Sequence, residues 1–195
     1  MAGNPNHPKK GSITKVEPIR SERDIRNIKR LLRDHPRNFA IFTFGININL
    51  RASDLVLLTV GNLRGLRPGD AFTIREKKTG KMKSITLNKT VYDAILPLLG
   101  NRSDSDPLFV SEKTGKALNP ITLNLLVKGW CRETNIRGNY GSHTLRKTFG
   151  YIHRTVFNTD IPTLMMMYNH ANQRQTLDYL CIQEAEIQCA YLREI

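Results

Sequence analysis

No two of the three cysteines, Cys131, Cys181 and Cys189, stand at C-x-x-C spacing, and their number is odd. That usage fits a reducing compartment. The five histidines form no H-E-x-x-H or mixed Cys/His zinc pattern, so no metal is expected. No apolar run approaches membrane-spanning length, and the N-terminus has no apolar segment of signal-peptide type. A soluble, cytoplasmic protein with no membrane partner is the expectation. Internal repeats and low-complexity blocks are missing too. The carboxylates are not clustered as a metal-dependent nuclease requires.

Acid is the scarcer charge. Seventeen Asp and Glu face thirty Lys and Arg, a formal net charge of +13 over 195 residues. A polyanionic partner follows, because each neutralised phosphate releases condensed counterions. Basic charge alone is shared by ribosomal proteins, nucleases and membrane-surface proteins, but here it is also segregated. Residues 1 to 159 carry 28 basic and 12 acidic side chains, whereas residues 160 to 195 carry two and five. The last segment is therefore suited to a basic protein surface rather than to a nucleic-acid backbone. The length fits one domain with a real core.

Residues 1 to 17 lack periodic apolar residues and read as a flexible basic tail. Ser21 caps a helix with Glu22 and Asp24 in its first turn; Ile25, Ile28 and Leu32 share one face and Arg23, Arg26, Arg30 and Arg33 the other. Pro36 breaks that pattern. Phe39 to Leu50 reads as a buried helix, and Ser53 as the cap of a short helix over Asp54 to Leu58. The period then changes to two. Ala71 to Glu76 and Met82 to Leu87 read as strands joined by a hairpin turn over Lys77 to Lys81. Helices are expected at 90–99, 120–134, 143–156 and 160–168, with a last one in 183–195 that places Ile187, Ala190, Tyr191 and Ile195 on one face. Asn158 and Asn169 suit left-handed helix-ending turns. The three methionines at 165–167 read as adaptable core packing. The class is α+β, mostly helical around a small antiparallel sheet.

Four separated pieces carry the chemistry: Arg51 in Leu50-Arg51-Ala52-Ser53-Asp54-Leu55; Lys78 in Lys78-Thr79-Gly80; His143 and Arg146 in His143-Thr144-Leu145-Arg146-Lys147-Thr148; and His170, with Tyr179 nine residues later. Singly, each has a bland reading as a surface arginine, an edge lysine that blocks strand pairing, a structural histidine or an interfacial tyrosine. In this order they resemble the catalytic domain of the tyrosine recombinases, the phage-integrase family. That family shows an Arg followed three residues on by an acid and Leu, a hairpin Lys, His-x-x-Arg-x-Thr, Leu-Gly-His, and a Tyr nine residues after that His. The resemblance spans about residues 18 to 182. Asn169 stands where relatives usually have Gly.

The resemblance implies a DNA strand transferase acting on duplex DNA, a site-specific recombinase or integrase of a mobile element or an inversion system, with Tyr179 as nucleophile and no cofactor. The chemistry agrees. A phenol with a pKa near 10 is about one part in a thousand phenolate at neutral pH, so it needs a base and a cationic field. Two guanidinium forks, Arg51 and Arg146, can bind the non-bridging oxygens of one phosphate. His143 can accept the Tyr179 proton, Lys78 can protonate the departing 5′ oxygen, and His170 can donate a hydrogen bond to the phosphate. His143 and Arg146 are three apart and share a helical face. Alternatives within the fold are a topoisomerase-like relaxing enzyme and a non-catalytic DNA binder. Self-association, dimer to tetramer on DNA, is implied, with residues 183–195 docking in cis or on a neighbouring protomer. Most relatives carry a helical core-binding domain before the catalytic one; residues 1–17 are too short for it.

Overall fold

The computed structural model describes residues 15–182 and 184–194, so the expected tail lies outside the described residues for 1–14. Two short strands, nine α-helices, one of a single turn, and a 3₁₀ helix at Val60–Asn62 make up the described fold. Helix α1 (Glu22–Leu31) starts at Ser21, whose hydroxyl accepts from Asp24 N, and buries Ile28. Its arginines stay exposed. Pro36, read as a break, is the first residue of α2 (Pro36–Asn47), where proline's missing N–H costs nothing. Helix α2 is apolar almost all round and forms the centre of the main core. Helix α3 (Ala52–Leu55) starts two residues earlier than expected, capped by Arg51 rather than Ser53.

Strands β1 (Ala71–Arg75) and β2 (Met82–Thr86) pair antiparallel, with Phe72 opposite Ile85 and Ile74 opposite Lys83. Gly80, at φ 68°, closes the hairpin. Helices α4 (Lys89–Leu99), α5 (Pro120–Glu133) and α6 (Ser142–Thr155) complete the main core, in which Phe44 meets Phe72 and Phe109 edge-on. Helix α2 crosses α6 closely at Gly45, where an added Cβ would lie 2.5 Å from the Leu145 side chain.

A second, smaller core gathers Phe149, Leu164, Tyr168 and Leu180 from α6, α7 (Ile161–Tyr168) and α8 (Gln173–Leu180). Met167 packs against it, but Met166 is 80% exposed, so only part of the methionine run is core. Asn158 and Asn169 both adopt the left-handed conformation, at φ 52° and 57°. Residues 17–19 are tied in: Glu17 N donates to Asn139 O at 2.8 Å, and Ile19 is fully buried. Helix α9 (Glu184–Tyr191) returns to the same chain through a 2.5 Å pair between Arg154 and Glu186. Ile187, Tyr191 and Leu192 remain exposed. No helix of the described residues is long and apolar enough to cross a membrane.

Candidate active site

Five elements deliver side chains to one region. Arg51 ends the α2–α3 link, and its Nη1 lies 2.6 Å from the fully buried Glu76 carboxylate at the end of β1. Burial alone would raise the Glu76 carboxyl. The Arg51 pair, the Thr79 hydroxyl, and the charges of Arg51 and Lys83 outweigh that and hold it below the usual carboxylate range. Asp54 of α3 accepts from Lys77 N at 2.9 Å, which pins the hairpin to the turn that carries Arg51. Lys78 is exposed at the hairpin tip and lies within electrostatic reach of His143.

Helix α6 supplies His143 and Arg146. Its start is fixed from α5: Asn124 Oδ1 accepts from Ser142 N at 3.0 Å, and Thr144 Oγ1 accepts from Gly141 N at 3.0 Å. His143 sits on the open side of that first turn. Lost solvation, then the charges of Arg146, Lys147, Lys78 and Arg51, lower its pKa, so the ring is neutral and able to accept a proton at pH 7. Arg146 is 1% exposed. Its Nη2 donates to Tyr168 O at 3.1 Å and its Nη1 to the Asn49 carbonyl, while Nε has no partner among the described residues.

The left-handed turn at Asn169 reverses the chain after α7 and brings His170 into the electrostatic field of the same guanidinium. Asn169 Nδ2 reaches Glu76 Oε2 and Met82 O at 3.5 Å, linking that turn to the hairpin. His170 stacks on Tyr168 with centroids 5.0 Å apart and shares a 3.0 Å hydrogen bond between Nδ1 and Thr176 Oγ1 of α8. Burial, then the charges of Arg146, Arg51 and Lys83, push its pKa down to about 4. One turn beyond Thr176, the half-buried Tyr179 ring lies 5.4 Å from His170, 5.3 Å from Tyr168 and 5.5 Å from the Arg146 Cζ. The structure thus brings together Arg51, Arg146, His170 and Tyr179, with His143 and Lys78 on the open rim.

Three participants escaped the sequence reading: Glu76, Lys83 and Asn49. The first two had a signal. Phe72, Ile74 and Glu76 share one phase of β1, and Lys83, Ile85 and Leu87 one phase of β2, so a charge stands in each apolar series. Asn49 had none.

A two-stranded sheet inside nine helices, with this site at the meeting of hairpin, α6 and the α7–α8 turn, is the fold of a tyrosine recombinase catalytic domain. The XerA recombinase structure superposes with a TM-score of 0.74 over 97% of this chain and 68% of that one, at 20% identity. XerH bound to its difH substrate superposes at 0.67 over 93% and 56%, at 16% identity. The phage integrase family model matches residues 23–186, and the chain belongs to that family. The probable integrase/recombinase YoeC of Bacillus subtilis (strain 168) is 32% identical over 177 residues, 90% of this chain and 95% of that protein. The tyrosine recombinase XerC of Caldanaerobacter subterraneus subsp. tengcongensis is 29% identical over 77% of this chain, which spans 43% of that protein's length.

Proposed function

We propose that this chain breaks and rejoins duplex DNA as a site-specific recombinase, through a 3′-phosphotyrosine intermediate on Tyr179. The observation that carries the reading is the contact set of Tyr179: a half-buried phenol packed against His170 and Arg146 on a short helix. The Tyr179 oxygen attacks phosphorus, and the bond from phosphorus to the 5′ oxygen breaks. His143 takes the phenol proton and Lys78 gives one to the 5′ oxygen. Arg51 and Arg146 neutralise the non-bridging oxygens, and the Arg146 Nε–H, still without a partner, supplies a donor. His170, neutral at its depressed pKa, donates from Nε2 if Thr176 donates to Nδ1. Attack by a 5′ hydroxyl on the phosphotyrosine reverses each step, so the bond energy is conserved.

The smaller core beneath Tyr179 suits a nucleophile that must swing to its target, because segments with few buried contacts open at low free energy. Association on DNA as a dimer or tetramer is part of the same reading; α9 offers Ile187, Tyr191 and Leu192 to a neighbour. XerH bound to difH and a lambda integrase dimer bound to a core site are the relatives that support it. Residence on the nucleoid follows from DNA as substrate.

The test is incubation with supercoiled plasmid carrying the sequences that flank the coding region, quenched in detergent. A covalent protein–DNA adduct is expected, absent in Tyr179→Phe and in a folded Arg146→Ala. Binding without adduct would make the chain a DNA-binding factor; an adduct surviving Tyr179→Phe would move the nucleophile elsewhere. Relaxation without joining of two sites would mark a topoisomerase.

A further inference from the structure

The alternation of β2 turns Ile85 and Leu87 inward, and it turns Lys83 inward with them. Lys83 is 7% exposed, on the core-facing side opposite Ile74. Its Nζ donates to the Asn49 side-chain Oδ1 and, at 3.3 Å, to the Asn49 backbone carbonyl. That same carbonyl accepts from Arg146 Nη1. Asn49 spends its remaining donor, Nδ2, on Met167 O at 2.7 Å. One buried residue between α2 and α3 therefore ties the hairpin, α6 and α7 together, with two cations converging on one oxygen.

Burying a cation beside another cation is costly, and a Met or Leu of similar length would fill the space more cheaply. The arrangement makes sense if the second cation has work to do. We propose that Lys83 is a positioning residue which acts through Asn49 to hold the Arg146 guanidinium in place for the scissile phosphate. The inference rests on the recombinase reading of the site.

The electrostatics fit this role. Lys83 is faced by Arg146 from α6, Arg51 and Asp54 from the α3 turn, and Glu76 from just past β1, and His170 is within its field. Burial, then Arg146, lower its pKa to about 7, against the pull of Glu76 and Asp54. In the free site the protonated form of Lys83 is thus weakened. An arriving phosphate draws the proton on, so the full cation is present when charge develops on the non-bridging oxygens.

Two measurements decide. The first is the rate of adduct formation at saturating plasmid, with affinity measured separately, for K83M and K83R. Lys83→Met is expected to slow adduct formation about a hundredfold, the cost of a misplaced catalytic group. DNA affinity should stay within about threefold, and K83R, which keeps a charged donor, should recover much of the rate. A wild-type rate in a folded K83M overturns the inference and leaves the recombinase reading intact. The second needs no DNA: the 13Cε resonance of Lys83 is titrated in wild type and in Arg146→Ala. A midpoint near 7 that moves up when Arg146 is removed supports the link; a midpoint indifferent to Arg146 overturns it. If K83M does not fold, K83R and this titration stand in its place. Absence of any wild-type adduct would sink the recombinase reading, and the titration would still decide the link between Lys83 and Arg146.

Discussion

Tyr168 and Arg146 hold each other twice. The Tyr168 hydroxyl donates to the Arg146 carbonyl at 2.7 Å, and the Arg146 guanidinium donates back to the Tyr168 carbonyl while lying 4.7 Å from its ring. Burial pushes the Tyr168 hydroxyl far above its ordinary value, so it is a neutral donor at pH 7. The arginine expected to clamp phosphate is thereby fastened at both its backbone and its side chain by a tyrosine that does not react.

That clasp depends on Gly150. An added Cβ there would fall 2.2 Å from the Tyr168 hydroxyl. Gly→Ala inside a helix normally stabilises by about 1 kcal/mol, but overpacking a core costs about 1–3 kcal/mol. Gly150→Ala should therefore be destabilising on balance. Tyr168→Phe alone should cost about 1 kcal/mol for its hydrogen bond. In the double variant the closest contact is gone and only the ring carbons at 3.1 and 3.2 Å remain, so urea unfolding should show a cost below the sum of the two. Additive costs would mean that the hydroxyl is not what the new methyl meets.

The buried Glu76 carboxylate predicts a pH dependence. Its folded pKa lies below the unfolded value, so its stabilisation is present above about pH 4.3 and lost as pH falls through the folded pKa. Denaturation midpoints between pH 6 and 3 should fall more steeply in wild type than in Glu76→Gln. The variant should start less stable, because Arg51 loses its charge partner in a nearly dry position. Parallel curves would show that Glu76 contributes no linkage.

The base assigned to Tyr179 should be visible in kinetics. The His143 pKa is lowered, so the neutral ring needed to accept a proton is lost only as pH drops below its ordinary value of about 6.5. Adduct formation should therefore decline on the acid side of pH 6.5. His143→Ala should be slower by about 10²–10⁴, with that limb abolished. Single-turnover rates across pH 5 to 8 measure both. An unchanged acid limb in the variant would assign the limb to another group.

The sequence made the local devices legible and left the long-range ones hidden. The hairpin and the asparagines that end α6 and α7 follow from turn chemistry confined to a few residues. Helix α8, which carries Tyr179, was not anticipated as a helix. Its eight residues, Gln173–Leu180, are mostly polar, and only Thr176 and Leu180 are buried. The pairing of Arg51 with Glu76 and the capture of Lys83 by Asn49 join residues from distant elements, and no spacing rule announces such partners. What was readable was the anomaly: a glutamate and a lysine on the inward phase of strands. It is a signal of buried charge, silent about the partner.

The exposed Lys78 makes the sharpest prediction, because its assigned task can be removed from the substrate instead of from the enzyme. If Lys78 protonates the departing 5′ oxygen, Lys78→Ala should slow cleavage of ordinary DNA by about 10²–10⁴. A DNA site whose scissile 5′ oxygen is replaced by sulfur departs as a thiolate, whose conjugate acid has a pKa of about 8.5 and which needs no proton in order to leave. On that substrate Lys78→Ala should cleave at nearly the wild-type rate. Arg146→Ala should remain inactive on both, since charge still builds on the non-bridging oxygens. Equal defects of Lys78→Ala on oxygen and sulfur substrates would instead place Lys78 among the residues that bind the DNA backbone.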